Sequence, residues 1–233
     1  MDIKISKLKE SAKNVFTEHW KMILLVALIT PLYNQIIMIL PWELTWTSYL
    51  LAPLFVGINW FYLSLLDGET LRLNDLFRPF QYYFKIVGAF FMVTILTVLW
   101  SLLFVIPGII KGFAYSQTFY ILKDNPDLGI FEAITKSREM MKGNKAKLLL
   151  VNLSFIGWYL PMVLSFSWLL YESWGILPAT IDSFYLAFSV NPFVAFLYLV
   201  SALGITFYVI PYYYLTLAAF YRQISKAKPA QSA

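Results

Sequence analysis

The sequence predicts an all-α, polytopic membrane helix bundle: six transmembrane helices in three repeated hairpins, each preceded by a cytoplasmic interfacial amphipathic helix. Three observations carry this expectation. The chain is 60% hydrophobic and only 13% charged, about half the roughly 25% usual for soluble domains, and its mean hydropathy is +0.66. Apolar runs long enough to cross a ~30 Å hydrocarbon core recur along the whole length. Lysine and arginine, by contrast, gather in alternate loops. No Gly/Ser/Pro-rich linker divides the chain, so residues 1–228 read as a single membrane domain, with 229–233 as a disordered tail.

Taken in order, "IKISKLKESAKNVFTEHWK" has apolar residues at helical spacing (Ile5, Leu8, Ala12, Val15 and Phe16) and lysines on the other face. Spans at about 22–40 and 50–66 follow. "LNDLFRPFQYYFK" repeats the amphipathic pattern at Leu73, Leu76, Phe77, Phe80 and Phe84. It leads into spans at about 85–101 and 104–122, joined by a tight hairpin near Ser101–Phe104. Asn125 followed by Pro126 is a helix start signal for the third stretch, "DLGIFEAITKSREMMKGNKAK", whose apolar positions are Ile130, Phe131, Ile134 and Met141. Spans at about 147–169 and 194–222 complete the set. The last apolar run exceeds one crossing and reads as a long helix kinked at Pro211, where proline frees a backbone carbonyl; a seventh span is the competing reading.

Charge orients the bundle. Seventeen of the 18 Lys and Arg residues precede the odd spans or follow the even ones, which makes that side cytoplasmic under the positive-inside rule. Both termini are then cytoplasmic, and an odd number of spans would break the pattern. The expected setting is the bacterial plasma membrane, and the net charge of +5 reports basic loops facing anionic lipid headgroups rather than nucleic acid.

The units at about 3–66, 72–122 and 128–224 echo one another. Each even span opens at a proline (Pro53, Pro107, Pro211) and carries a Phe-Tyr pair near its cytoplasmic end: Phe61–Tyr62, Phe119–Tyr120 and Phe220–Tyr221. Aromatic belts at membrane interfaces are routine and account for such pairs equally well. The basic stretches likewise have two readings: helices that float at headgroup level, or a collar that senses lipid or docks a partner.

Lys111 interrupts "VIPGIIKGFAYSQTFYILKDNPDL" some eight residues into the fourth span, roughly 12 Å from the outer side. A charge at the bilayer centre costs about 2.5–3.5 kcal/mol on insertion scales, so it usually faces protein, water or a counter-charge. Tyr115 and Thr118 share its face, Gln117 lies beside it, and Asn59 and Asn152 are polar candidates in neighbouring spans; these six residues form the candidate ligand pocket. A lysine snorkelling to the outer interface is the alternative. Gly108 and Gly112 form a G-x-x-x-G that lets helix backbones approach closely.

Catalytic signatures are missing: the sequence has no G-x-S-x-G, H-E-x-x-H, P-loop or Gly-rich dinucleotide turn. With no cysteine and one histidine, His19, neither a thiol nor a two-histidine metal site can form, and no cofactor is expected. His19, beside Trp20, reads as an interfacial anchor.

The block "IPGIIKGFAYSQTFYILKDNPDLGIFEAITKSREMMKGNKAKLLLVNLSFIGWYL" resembles the signature region of a bacterial integral membrane family known as Domain of Unknown Function 975. "IPYYYLTLAAFY" is similar to that family's C-terminal block, and "LKESAKNVFTEHWKMIL" matches more loosely. Family members often carry an aromatic where this chain has Ala146, a position Trp20 echoes in the first repeat. The resemblance implies an inner-membrane protein and supplies no activity. A more distant similarity to the membrane domain fused to some glycerophosphodiester phosphodiesterases points toward lipid-associated work.

The function expected is therefore non-enzymatic: binding or transport of a lipid-like or amphipathic molecule, for example a lipid or an antimicrobial peptide. The alternative is an accessory or scaffold protein that docks a partner through its basic cytoplasmic helices. Expected partners are membrane lipids with anionic headgroups, and a second copy or a membrane partner protein.

Overall fold

A computed structural model describes residues 4–39, 49–173 and 191–227; the expected tail and most of the long outer segment lie outside them. The described elements are α1 (Ile5–Glu18), α2 (Trp20–Ile39), α3 (Ala52–Leu66), a 3₁₀ helix (Leu73–Tyr82), α4 (Tyr83–Leu103), α5 (Val105–Tyr115), α6 (Thr118–Asp124), α7 (Ile130–Met140), α8 (Lys145–Ser173), α9 (Pro192–Gly204), a π-helical turn (Ile205–Val209) and α10 (Ile210–Ala227). The all-α class holds throughout them.

Four helical stretches are long and apolar enough to cross a membrane: Tyr49–Leu66, Leu73–Leu103, Lys145–Tyr171 and Pro192–Lys226. A fifth arises if α1 and the start of α2, which meet at 100°, are taken as one span. The run expected to be a fourth span is divided, since α5 ends at Tyr115 and α6 begins at Thr118. The final run is one helical stretch of 35 residues, with the π turn placed just before Pro211. Proline has no N–H to give to the preceding turn, and the widened turn absorbs that loss.

At the centre of the packing stands α3, which touches α1, the 3₁₀ helix, α4, α6 and α10. Its span is 67% buried, against 11% for the Leu73–Leu103 stretch that contains α4. A helix apolar all round is either buried in a core or left with apolar surface outward, and α3 takes the first option while α4 takes the second. The Phe-Tyr pairs also belong to the core rather than to a belt: Phe61, Tyr62, Tyr120, Phe220 and Tyr221 are buried. Tyr62 stacks on Tyr214 with ring centroids 5.5 Å apart, and Tyr120 stacks on Tyr221 at 5.1 Å. The Trp60 indole N–H donates to the Phe119 carbonyl at 2.8 Å, which ties α3 to α6.

The three amphipathic stretches meet different fates. Along α1, Leu8 and Ala12 are buried against the core, with Ile5, Val15 and Phe16 packed beside them, and Lys4, Lys7 and Lys13 are exposed. Lys9 instead reaches the Ser154 carbonyl at 3.2 Å, while Tyr212 donates to the Lys9 carbonyl at 3.1 Å. The second stretch is 3₁₀ rather than α. Pro79 removes a donor in its middle, and the three-residue period puts Leu76 and Pro79 on one buried face. Leu73, Phe77 and Phe80, expected on the inner face of an α-helix, are exposed, and so is Phe84, which already belongs to α4. The third stretch starts at Ile130, later than the Asn125–Pro126 signal, because the Glu132 carboxylate accepts the Gly129 N–H at 2.8 Å and caps the helix there.

Candidate functional site

Helices α4 and α5 form a tight antiparallel hairpin that turns at Phe104 in extended backbone. The two glycines of α5 contribute unequally. A Cβ on Gly108 would sit 2.0 Å from Ser101 Oγ, whereas one on Gly112 would meet only Thr97 Cγ2 at 3.7 Å. Close approach is therefore enforced at Gly108. Lys111 projects along this hairpin, with its ammonium 4.1 Å from the centroid of the Trp100 ring on α4. That cation–π contact is its one described interaction; among the described residues no carboxylate, carbonyl or hydroxyl bonds it. At half-exposed sites such a contact is worth about 0.5–1 kcal/mol, less than the cost of a desolvated ammonium.

Helix α7 lies along the hairpin. Ile130 reaches Gly88, and Ile134 packs with Ala114, Tyr115, Met92, Val93 and Leu96. At the α5–α6 break, the buried Ser137 hydroxyl donates to the Ala114 carbonyl at 2.8 Å and accepts the Gln117 N–H at 3.2 Å. Both backbone groups would otherwise be orphaned by the break. Thr118, fully buried, donates to the Tyr115 carbonyl at 2.7 Å. The Gln117 amide nitrogen donates to Ser116 Oγ at 2.7 Å, and its Oε1 is buried with no partner. Tyr115, Gln117 and Thr118 thus meet at one break in the helix, one turn beyond Lys111.

The two asparagines stand elsewhere. Asn59 donates to the Phe55 carbonyl and accepts from the Tyr120 hydroxyl at 3.2 Å, inside the α3–α6 contact. Asn152 accepts from the Tyr213 hydroxyl at 2.7 Å, between α8 and α10. Neither is bonded to Lys111, so the six-residue pocket resolves into a Lys111–Tyr115–Gln117–Thr118 group and two separate interhelical bonds.

A second polar centre, missed in the sequence, joins the ends of α3, α6 and α10. Arg222 makes a two-pronged pair with Asp67 (2.8 and 2.6 Å) and also pairs with Asp124. The Tyr221 hydroxyl donates to Asp124 at 2.7 Å. Lys123 donates to Ser64 and to Glu69 (3.3 Å), and Ser64 donates to Glu69 at 2.7 Å. Burial raises the cost of charge on Glu69, but the Ser64 hydrogen bond and the Lys123 and Arg78 charges outweigh it and hold its carboxyl below the usual range. Lys123 is pulled below the ordinary lysine range by burial, against the opposing pull of Glu69 and Asp67. The signal was present in the sequence: each buried Phe-Tyr pair is followed within six residues by a charged group, Asp67, Lys123–Asp124 or Arg222.

The family model described as "Protein of unknown function (DUF975)" matches residues 87–228, which include α5, the α5–α6 break, α7 and α10. No curated protein and no solved structure shows significant similarity to the chain.

Proposed function

The chain belongs to the DUF975 family, whose function is unknown, and from its own geometry we propose that it is a non-enzymatic membrane protein that binds or moves a lipid-like or amphipathic molecule. In this reading it sits in a bacterial plasma membrane with both termini cytoplasmic, as three hairpins each led by an interfacial helix, with α5 and α6 together making the fourth of six crossings. The observation that carries the reading is Lys111: an ammonium without an ionic or hydrogen-bonding partner among the described residues, held over Trp100 on a hairpin whose tip residues Leu102, Phe104, Val105 and Ile106 are exposed. Exposed apolar surface beside an unpaired cation matches a ligand with an apolar body and a polar head. The Gln117 oxygen, buried one turn away without a donor, adds a polar acceptor at the same helix break.

Lys111→Met keeps the length of the side chain and removes its charge. Purified in detergent, this variant should unfold at the wild-type temperature or slightly above it, and should lose most of the co-purifying amphiphile detected by mass spectrometry. Equal amphiphile in variant and wild type would show that Lys111 only anchors the hairpin. The accessory reading keeps one specific support, the exposed Lys4, Lys7 and Lys13 on α1. It would prevail if neutralising those lysines, and not Lys111, abolished the phenotype of the cell.

A further inference from the structure

The 3₁₀ helix between α3 and α4 is a three-sided rod. At three residues per turn, side chains three apart lie one above another, so its residues sort into three rows. Leu76 and Pro79 are the buried middle of the first row, and the Leu76 carbonyl oxygen occupies the place where Gly57 of α3 would carry a Cβ, which fixes the rotation of the rod. The second row is Asn74, Phe77 and Phe80. Both its rings are exposed, their centroids are 5.9 Å apart, and Phe80 continues the row to Tyr83 of α4 at 6.2 Å. Asp75, Arg78 and Gln81 make the third row, which is polar: Asp75 accepts the Arg72 N–H at 2.7 Å, and Arg78 lies 3.8 Å from Glu69. Wound as an α-helix, the apolar residues would share one inner face; the 3₁₀ winding divides them and turns the phenylalanines outward. The other two amphipathic stretches have no such row. Helix α1 exposes Lys7, Glu10 and Lys13, and α7 exposes Glu132, Thr135 and Arg138 beside Phe131.

Given the membrane setting read above, we propose that the Phe77–Phe80 row is a membrane-binding face, set at the headgroup–acyl boundary of the adjoining leaflet and held there by apolar burial rather than by charge. The row leads into the outward surface of α4, where Phe84, Phe91 and Val98 are exposed, and rod and helix together form one stretch apolar enough to cross a membrane. Hydrocarbon that meets α4 therefore meets the row at the next turn. On the neighbouring side of the rod, Arg78 turns to Glu69 at the ionic centre. An apolar side next to a polar one is what an element lying in the plane of the interface requires, and aromatic rings suit that depth. Charge contributes little here, because Leu73–Tyr82 carries one acid and one base, Asp75 and Arg78, each already engaged. With no net charge to draw anionic lipid, attachment at this face follows the apolar area buried. The three leading elements thus differ: the middle one enters lipid, while α1 and α7 spend their apolar faces on the protein and keep polar residues outside.

The chain has no cysteine, so single cysteines carrying a bimane fluorophore can report each face. Phe77→Cys, Phe80→Cys, Gln81→Cys, Lys7→Cys and Val98→Cys are placed, one chain per disc, in phosphatidylcholine nanodiscs containing nitroxide lipids labelled near the glycerol backbone or deep in the chain. The Phe77 and Phe80 labels should be quenched about threefold more than those at Gln81 and Lys7, most strongly by the shallow nitroxide. Added phosphatidylglycerol and high salt should leave that ratio unchanged. Two positions in the row are used so that one misfolded variant does not decide the outcome. Quenching at Val98 without quenching at Phe77 and Phe80 would overturn the membrane-binding face and leave the membrane setting standing; no quenching at any of the three would overturn both. Equal quenching at Gln81 would overturn the division of faces. Quenching that needs phosphatidylglycerol and disappears at high salt would replace apolar burial with charge. Loss of quenching in liposomes holding many chains, together with excimer emission from pyrene placed at Phe80→Cys, would make a second copy the occupant instead of lipid.

Discussion

At Ser137 one hydroxyl serves two backbone groups of another helix, giving a bond to the Ala114 carbonyl and taking one from the Gln117 amide. Nothing in the periodicity of α7 marked this serine, because its role is defined by a break in α5–α6 that lies twenty residues earlier. Ser137→Ala leaves a buried donor and a buried acceptor unpaired and should cost about 1–3 kcal/mol, read as a lowered unfolding temperature. The exposed Thr135→Ala on the same helix should cost almost nothing. Equal loss in the two variants would show that the break does not depend on Ser137. Lys111, in contrast, was conspicuous in the sequence because a charge in an apolar run is rare, and Tyr115, Gln117 and Thr118 were within reach by helical spacing. Asn59 and Asn152 were placed with them only by residue type, and the fold gave each a tyrosine instead.

At the scale of elements, small residues decide how closely helices approach. A Cβ on Gly57 would lie 1.9 Å from the Leu76 carbonyl oxygen, because the 3₁₀ helix crosses α3 backbone to backbone at that point. Backbone cannot step aside as a flexible side chain can. Gly57→Ala should therefore destabilise by about 1–3 kcal/mol or more, and Gly108→Ala similarly against Ser101, while Gly112→Ala should be nearly neutral. Thermal unfolding of the three variants side by side checks the ranking; a neutral Gly57→Ala would mean that the 3₁₀ helix does not sit on α3. The G-x-x-x-G motif announced close packing, yet Gly57, in no motif, meets the closest neighbour of all the described glycines. The 3₁₀ form of the second amphipathic stretch follows from Pro79, a residue visible in the sequence whose consequence depends on α3 being there to receive Leu76 and Pro79.

For the whole molecule, the proposed arrangement of six crossings with cytoplasmic termini rests on the segregation of basic residues, and it predicts that reporter fusions at Asp182 and Ser232 report opposite compartments. The same compartment for both would overturn it. The sequence by itself determined what depends on local chemistry: helical class, apolar runs of membrane length, and membership of the family. Each of these is a property of hydropathy and spacing within a few turns of chain. Only the tertiary structure decided which apolar helix is core and which faces outward, since α3 and α4 both lie in stretches apolar enough to cross a membrane and differ in what surrounds them. It also decided that the Phe-Tyr pairs stack in the interior and that Arg222 closes an ion network with Asp67 and Asp124. The physical reason is the same in each case. Burial, stacking and charge coupling are set by distances between residues far apart in the chain, and those distances exist only once the helices have packed.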